Sequence, residues 1–300
     1  MTPDSAAQMD QYGVIGHPIS HSLSPWIHGQ FATQTGQRLN YQRLDVAPPD
    51  LVTFLNNTPL AGLNVTLPHK QGVFEWVDQT TERARTAGAV NTVRWLDDGR
   101  SVGDNTDGAG LIADLTGRLK LPLENARILL LGAGGAARGI AGPLMGQALA
   151  ELVIVNRTQA RASQLAELVG AKAARWDDLA GLGAFDGIIH CTAAGHQAMP
   201  ELPASLLSED SWCYDLSYGK AAQPFLAWAG HNGGAAYDGL GMLVEQAALS
   251  FTIWRNVEVA TEPVLQQLRL NQENAVANEK TKEMAKEVVG NVTSPSASKP

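Results

Sequence analysis

The sequence predicts an α/β protein of two domains, the second built on a doubly wound parallel sheet. Three observations carry that expectation. The chain has 300 residues, more than a single core usually organises. From Arg127 onward, short continuous apolar runs alternate with helix-length segments, as in parallel strands buried on both faces. A glycine-rich turn, Gly132-Ala133-Gly134-Gly135-Ala136-Ala137, directly follows the first of those runs.

Taken in order, residues 12–15 read as a strand, followed by a Gly/His/Pro/Ser loop. Pro25 suits the first turn of a helix carrying Trp26, Ile27 and Phe31. Residues 41–46 alternate like a strand, 50–56 form a short helix, and 61–66 form a strand that runs into Pro68. A single helix is expected over 69–87, closed by Gly88, then a strand over 89–95 and a turn at Asp97-Asp98-Gly99. The breaker Asp107-Gly108 marks the domain boundary, with a helix starting near Ala109. The second domain then reads strand 127–131, helix 136–149, strand 152–155, helix 158–169, strand 187–191 and strand 212–216. An apolar helix over 241–255 suits packing between domains, and 271–300 reads as a solvated helix or disordered tail without chemistry.

Hydrophobic residues make up 44% and charged residues 17%, enough apolar matter to fill cores. The net charge of -8 argues against general nucleic-acid binding, which needs phosphate-neutralising Lys and Arg. Two cysteines, Cys191 and Cys213, exclude a disulfide framework and a cysteine-built zinc site. No basic segment followed by an apolar run opens the chain, and the longest apolar runs are far shorter than a membrane span. A cytoplasmic protein is expected. His17, His21 and His28 are separated by Pro18 and Pro25, and no HExxH occurs, so no metal is expected; no G-x-S-x-G supports hydrolase chemistry.

The glycine turn has the G-x-G-x-x-G/A spacing between a strand and a helix, where backbone N–H groups and the helix dipole meet a pyrophosphate. The next strand ends in Asn156-Arg157-Thr158, with Arg161 one turn on. An NAD site places a carboxylate there; two guanidiniums instead favour the 2′-phosphate of NADP, the alternative being that they decorate a solvated helix start. Asn64 and Thr66 share one face of a strand that leads through Pro68 to Lys70. Ser22 and Ser24 precede a helix, as caps or as donors to a carboxylate. Asn91 and Asp107 lie in polar turns, Asp107 at the domain junction.

In this order the motifs resemble the shikimate dehydrogenase family over about residues 12–270. They are GxPIxHSLSPxxH from Gly16, NVTxPxK from Asn64, AGAVNT from Ala87 and DNTDG from Asp104. GAGGAARG from Gly132, NRT from Asn156, CYDLSY from Cys213 and DGLGMLVEQA from Asp238 complete them. PFLAWAGHNG from Pro224 is similar to the bacterial biosynthetic branch.

The resemblance implies reversible reduction of 3-dehydroshikimate to shikimate with NADPH, in a monomer or homodimer that binds no membrane or nucleic acid. It implies that Lys70 and Asp107 are the catalytic pair. Ser22, Ser24 and Tyr218 would bind the substrate carboxylate, and Thr66, Asn91, Asp107 and Gln246 its hydroxyls. Gly132, Ala133, Gly134, Gly135 and Ala136 would hold the pyrophosphate, and Asn156, Arg157, Thr158 and Arg161 the 2′-phosphate. Leu216, Gly239 and Met242 would flank the nicotinamide, with Glu82 facing the cofactor.

The implied domains are a substrate domain over 1–107, completed by returning helices over 240–270, and a Rossmann-type NADP domain over 108–239, with a cleft between them. Two departures stand out. The family's N-A-T-S-x-G is His190-Cys191-Thr192-Ala193-Ala194-Gly195 here, and its Thr-Pro is Gln223-Pro224. A catabolic NAD-dependent quinate/shikimate enzyme predicts an acidic residue near 156. A nucleotide-sensing protein predicts loss of Lys70 or Asp107. A methylene-tetrahydrofolate dehydrogenase would not pair Ser22/Ser24 with DNTDG.

Overall fold

The computed structural model describes residues 9–192 and 201–274. Its first strand, β1 (Asp10–Gly16), starts exposed at Asp10 and is buried from Tyr12 onward, because Tyr12, Val14 and Ile15 carry its apolar matter inward. β1 pairs in parallel with β2 (Leu39–Asp45) on one side and β3 (Gly62–Val65) on the other. Between them run α1 (Ser24–Thr35), which Gly36 ends in a left-handed cap, and α2 (Leu51–Asn57). The sheet continues antiparallel through β5 (Thr92–Trp95) and β6 (Ser101–Asp104), and β4 (Gln79–Thr80) adds in parallel to β6. Its order is β2-β1-β3-β5-β6-β4.

Two expectations are corrected in this half. The helix expected over 69–87 is two helices, α3 (Lys70–Trp76) and α4 (Glu82–Ala87). Val77 turns extended, and Asp78 and Ser101 exchange hydrogen bonds that draw the segment onto the sheet as β4. Thr81 then caps the new helix by accepting from the Ala84 N–H. The strand after the turn at Gly99, β6, has no counterpart among the expected elements. It is four residues long and contains Gly103, where an added Cβ would lie 2.5 Å from a Val90 methyl.

The second sheet is built from β7 (Arg127–Leu131), β8 (Glu151–Val155), β9 (Lys172–Ala174), β10 (Gly187–His190), β11 (Trp212–Asp215) and β12 (Ala235–Tyr237). It is wholly parallel, in the order β12-β11-β10-β7-β8-β9. The chain leaves β7 for β8 and β9 on one side and returns to β10 on the other, so the topological switch point lies between β7 and β10. Leu129, Leu130 and Leu131 are fully buried there, each side chain contributing about 1.5–3 kcal/mol.

Helix α6 (Gly135–Met145) stops four residues short of the expected 149, since Pro143 withholds an N–H inside it and Gly146 follows. Helix α7 (Gln159–Val169) starts one residue after the expected 158, with Thr158 extended at its N-cap, and ends at the expected 169, where Gly170 closes it in the left-handed conformation. β9, β12 and α8 (Gln223–His231) have no counterpart among the expected elements; both strands have only three residues.

Two elements link the sheets. α5 (Asp107–Ile112) starts at Asp107 rather than near Ala109 and continues as a π-helical turn, Ala113–Arg118. It lies close to α6 and to α9 (Leu240–Arg255): a Cβ on Gly108 would meet Pro143 at 2.3 Å, and one on Gly110 would meet Gln246 at 2.7 Å. At its start α9 donates the Met242 N–H to the hydroxyl of Tyr214 on β11. Further along, Ser250 bonds Asn64 and Thr92 of the first sheet, and Trp254 donates to the Val93 carbonyl. A separate unit begins at Glu262, with a helix over 262–274; the rest of the tail expected over 271–300 lies outside the described residues.

Candidate active site

Strand ends and helix starts from both sheets converge on a cavity of about 220 Å³. β1 and its following loop supply Val14, His21, Ser22 and Ser24; the end of β3 supplies Asn64 and Thr66. Lys70 opens α3, Asp107 opens α5 and Ala136 lies in the first turn of α6. Leu216 and Tyr218 follow β11, and Gly239, Met242 and Gln246 come from the start of α9. Such a crevice beyond the carboxyl ends of strands is where α/β sheets bind ligands.

Lys70 is held by its neighbours. His69 is buried and its Nε2 lies 2.7 Å from the Val46 carbonyl, while the Lys70 carbonyl accepts from the Val90 N–H at 2.9 Å. Lys70 Nζ donates to Asp107 Oδ2 at 2.5 Å. Asn91 Nδ2 donates to the other oxygen, Oδ1, at 2.7 Å, and the Asp107 N–H donates to Asn105 Oδ1 at 3.1 Å. Asn91 is itself fixed, its Oδ1 accepting from the Thr106 N–H and the Thr92 hydroxyl. Asn64, beside it, accepts from the Tyr41 hydroxyl and donates to Ser250 and Thr92. The result is an ammonium–carboxylate pair facing a cavity and backed by amides.

Ser22 and Ser24 are buried, and the Ser22 hydroxyl donates to Ser24 Oγ at 3.2 Å. Leu23 flanks the start of α1 without a side-chain cap bond. Arg43 Nε donates to the Ser22 carbonyl at 2.7 Å. Burial pushes the Tyr218 phenol up from its ordinary value, and the Arg43 guanidinium acts in the opposite direction.

The cavity therefore gathers Ser22, Ser24, Thr66, Lys70, Asp107, Ala136, Leu216, Tyr218, Gly239, Met242 and Gln246. Asn91 sits behind Asp107 rather than on the cavity wall. Glu82 is exposed and pairs with Arg85 on its own helix. Gly132, Ala133, Gly134 and Gly135 form the turn from β7 to α6, at the switch point. Gly132 has φ +122°, and a Cβ there would lie 3.0 Å from Cys191 Sγ. Asn156, Arg157, Thr158 and Arg161 follow β8 on the neighbouring strand, both arginines exposed.

Sequence reasoning missed Arg43 and the buried chain at the end of β10. There His190 Nδ1 lies 2.9 Å from Asp215 Oδ2, and its Nε2 lies 2.6 Å from the Thr192 hydroxyl. Burial, with Asp215 nearby, pushes the Cys191 thiol up, which keeps it protonated. Ala193, Ala194 and Gly195 of that loop lie outside the described residues. Among the described residues no group of three or more His, Cys, Asp or Glu could hold a metal ion.

Comparison with known proteins gives three family matches. Residues 14–93 match the shikimate dehydrogenase substrate binding domain, 115–204 the shikimate / quinate 5-dehydrogenase family, and 239–269 the shikimate 5′-dehydrogenase C-terminal domain. Shikimate dehydrogenase (NADP(+)) of Aeromonas hydrophila is 48% identical, covering 88% of this chain and 98% of its own. That of Vibrio cholerae is 47% identical, covering 90% and 100%. The structure of shikimate 5-dehydrogenase from Thermus thermophilus in complex with NADP(H) and shikimate superposes with a TM-score of 0.79 at 33% identity, covering 87% of this chain and 99% of that one.

Proposed function

The chain belongs to the shikimate dehydrogenase family, and on that premise we propose that it catalyses the reversible NADPH-dependent reduction of 3-dehydroshikimate to shikimate. It is an NADP-dependent oxidoreductase acting on a CH–OH group. The observation that carries the site assignment is the Lys70–Asp107 pair, 2.5 Å apart on the wall of a cavity that also holds Ser22, Ser24 and Tyr218.

The second sheet fits the cofactor. A Cβ on Gly134 or Gly135 would meet nothing within 4 Å, so the backbone before α6 is open to a bulky diphosphate. Beyond β8 stand Arg157 and Arg161, cations suited to a 2′-phosphate, with no carboxylate at Asn156 to take a ribose hydroxyl. Gly132 to Ala136 would hold the pyrophosphate, and Leu216, Gly239 and Met242 would line the nicotinamide side. NADPH supplies the hydride when bound.

The chain's own residues do the rest. Ser22, Ser24 and Tyr218 bind the substrate carboxylate, while Thr66 and Gln246 hold its hydroxyls. Lys70 Nζ faces the reacting oxygen, stabilises the negative charge that develops on it and passes it a proton. Asp107 orients Lys70 and accepts from the product hydroxyl, and Asn91 holds Asp107 in place. We place the substrate site on the first sheet, completed by α9, and the cofactor site on the second. Among the described residues no helix is long and apolar enough to cross a membrane. We assign the enzyme to the cytoplasm, a reducing compartment that suits the free thiols of Cys191 and Cys213.

Absorbance at 340 nm tests the proposal, with shikimate or quinate as substrate and NADP⁺ or NAD⁺ as oxidant. Turnover confined to shikimate with NADP⁺ is expected. Preference for quinate or NAD⁺ would move the chain to the catabolic branch, and no turnover with any pair would overturn the reading.

A further inference from the structure

The charged side chains that line the cavity, Lys70 and Asp107, are bonded to each other, and His21 adds one imidazole. The corner made by Ser22, Ser24 and Tyr218 thus offers an anion neutral hydroxyl donors. Arg43 stands beside that corner. The strand register pairs Arg43 with Val14, and Val14 with Asn64, so the three side chains share one face of the sheet. Val14 and Asn64 both line the cavity. Arg43 Nε reaches the Ser22 carbonyl at 2.7 Å, and its charge acts on the Tyr218 phenol.

We propose that Arg43 is the charge-selecting residue of this site: it pins the serine loop and gives a corner of neutral donors its preference for a carboxylate over an uncharged group. The proposal rests on the reading of shikimate as substrate. Arg43 is exposed, so its influence is partly screened by solvent and weakens with salt.

The test compares shikimate with its uncharged methyl ester, with NADP⁺ as oxidant, in the wild type, Arg43→Gln and Arg43→Lys. Circular dichroism checks that each is folded. Arg43→Gln is expected to raise KM for shikimate about fivefold, the upper range for an exposed charge, with kcat and the KM for NADP⁺ little changed. The ester's kcat/KM should change by less than about twofold, so the preference for acid over ester shrinks. Arg43→Lys should retain more of that preference than Arg43→Gln. An unchanged acid-to-ester ratio in Arg43→Gln, or an equal loss for both substrates, overturns the proposal while wild-type turnover leaves the substrate reading standing. A wild type that does not turn over shikimate overturns both.

Discussion

Lys70 bonds one oxygen of Asp107 and Asn91 bonds the other, so the carboxylate has little freedom to rotate. Replacing Lys70 with Ala should lower kcat by about 10², with shikimate binding less affected. Steady-state kinetics decides this, and a near-normal kcat removes Lys70 from the chemistry. Asn91→Ala removes a positioning donor and should lower kcat by about tenfold, less than loss of Lys70 itself. Arg157→Ala combined with Arg161→Ala should raise the KM for NADP⁺ by at least about tenfold and leave that for NAD⁺ nearly unchanged, because only the former carries a 2′-phosphate. Equal effects on both cofactors would place the arginines elsewhere. Ser22, Lys70 and Asp107 stand at glycine- and proline-marked turns in the sequence, but spacing alone leaves them as a cap, a surface lysine and a turn; the family motifs around them are what single them out. Arg43 is not singled out in this way, since its place depends on the register of two strands. The contact from Asn64 to Ser250 spans 186 positions and has no local signal.

Close packing at α5 depends on glycine. Gly108 faces Pro143 and the Gly139 carbonyl, at 2.3 and 2.6 Å from an added Cβ. Gly108→Ala should cost about 1–3 kcal/mol in urea denaturation, as overpacking does. Gly117→Ala, where an added Cβ meets nothing within 4 Å, is the control and should be neutral or stabilising by about 0.5–1 kcal/mol. Equal effects would show that the contact at α5 relaxes freely. The short continuous apolar runs of β7 and β8 are legible in the sequence. The break between α3 and α4 is not, because Asp78 leaves the helix for a partner, Ser101, 23 positions later. β9 and β12 are held by their neighbours in the sheet, which no three-residue pattern can announce.

Across the whole molecule, acid sensitivity has an identifiable source in His28. It is fully buried, its ring nitrogens have no hydrogen-bond partner of good geometry, and it stacks on Tyr41 at 4.3 Å. Burial lowers its pKa from 6.5 to about 3, with the nearby Asn64 side chain offsetting part of the shift. Between those values the unfolded chain binds the extra proton, so stability falls as the pH drops below about 6.5, at up to about 1.4 kcal/mol per pH unit. His28→Phe should flatten the fall in Tm between pH 6 and pH 4 relative to the wild type. Parallel curves would remove His28 as the cause.

The placement of α9 also sets an order of events during synthesis. The cluster around His28 and Tyr41 includes Phe251 and Trp254, which leave the ribosome only after the second sheet has been made. The face of the first sheet around His28 and Tyr41 therefore stays uncovered in the nascent chain until the end of α9 emerges, after every strand of the second sheet. The part of the protein made first is thus the part finished last.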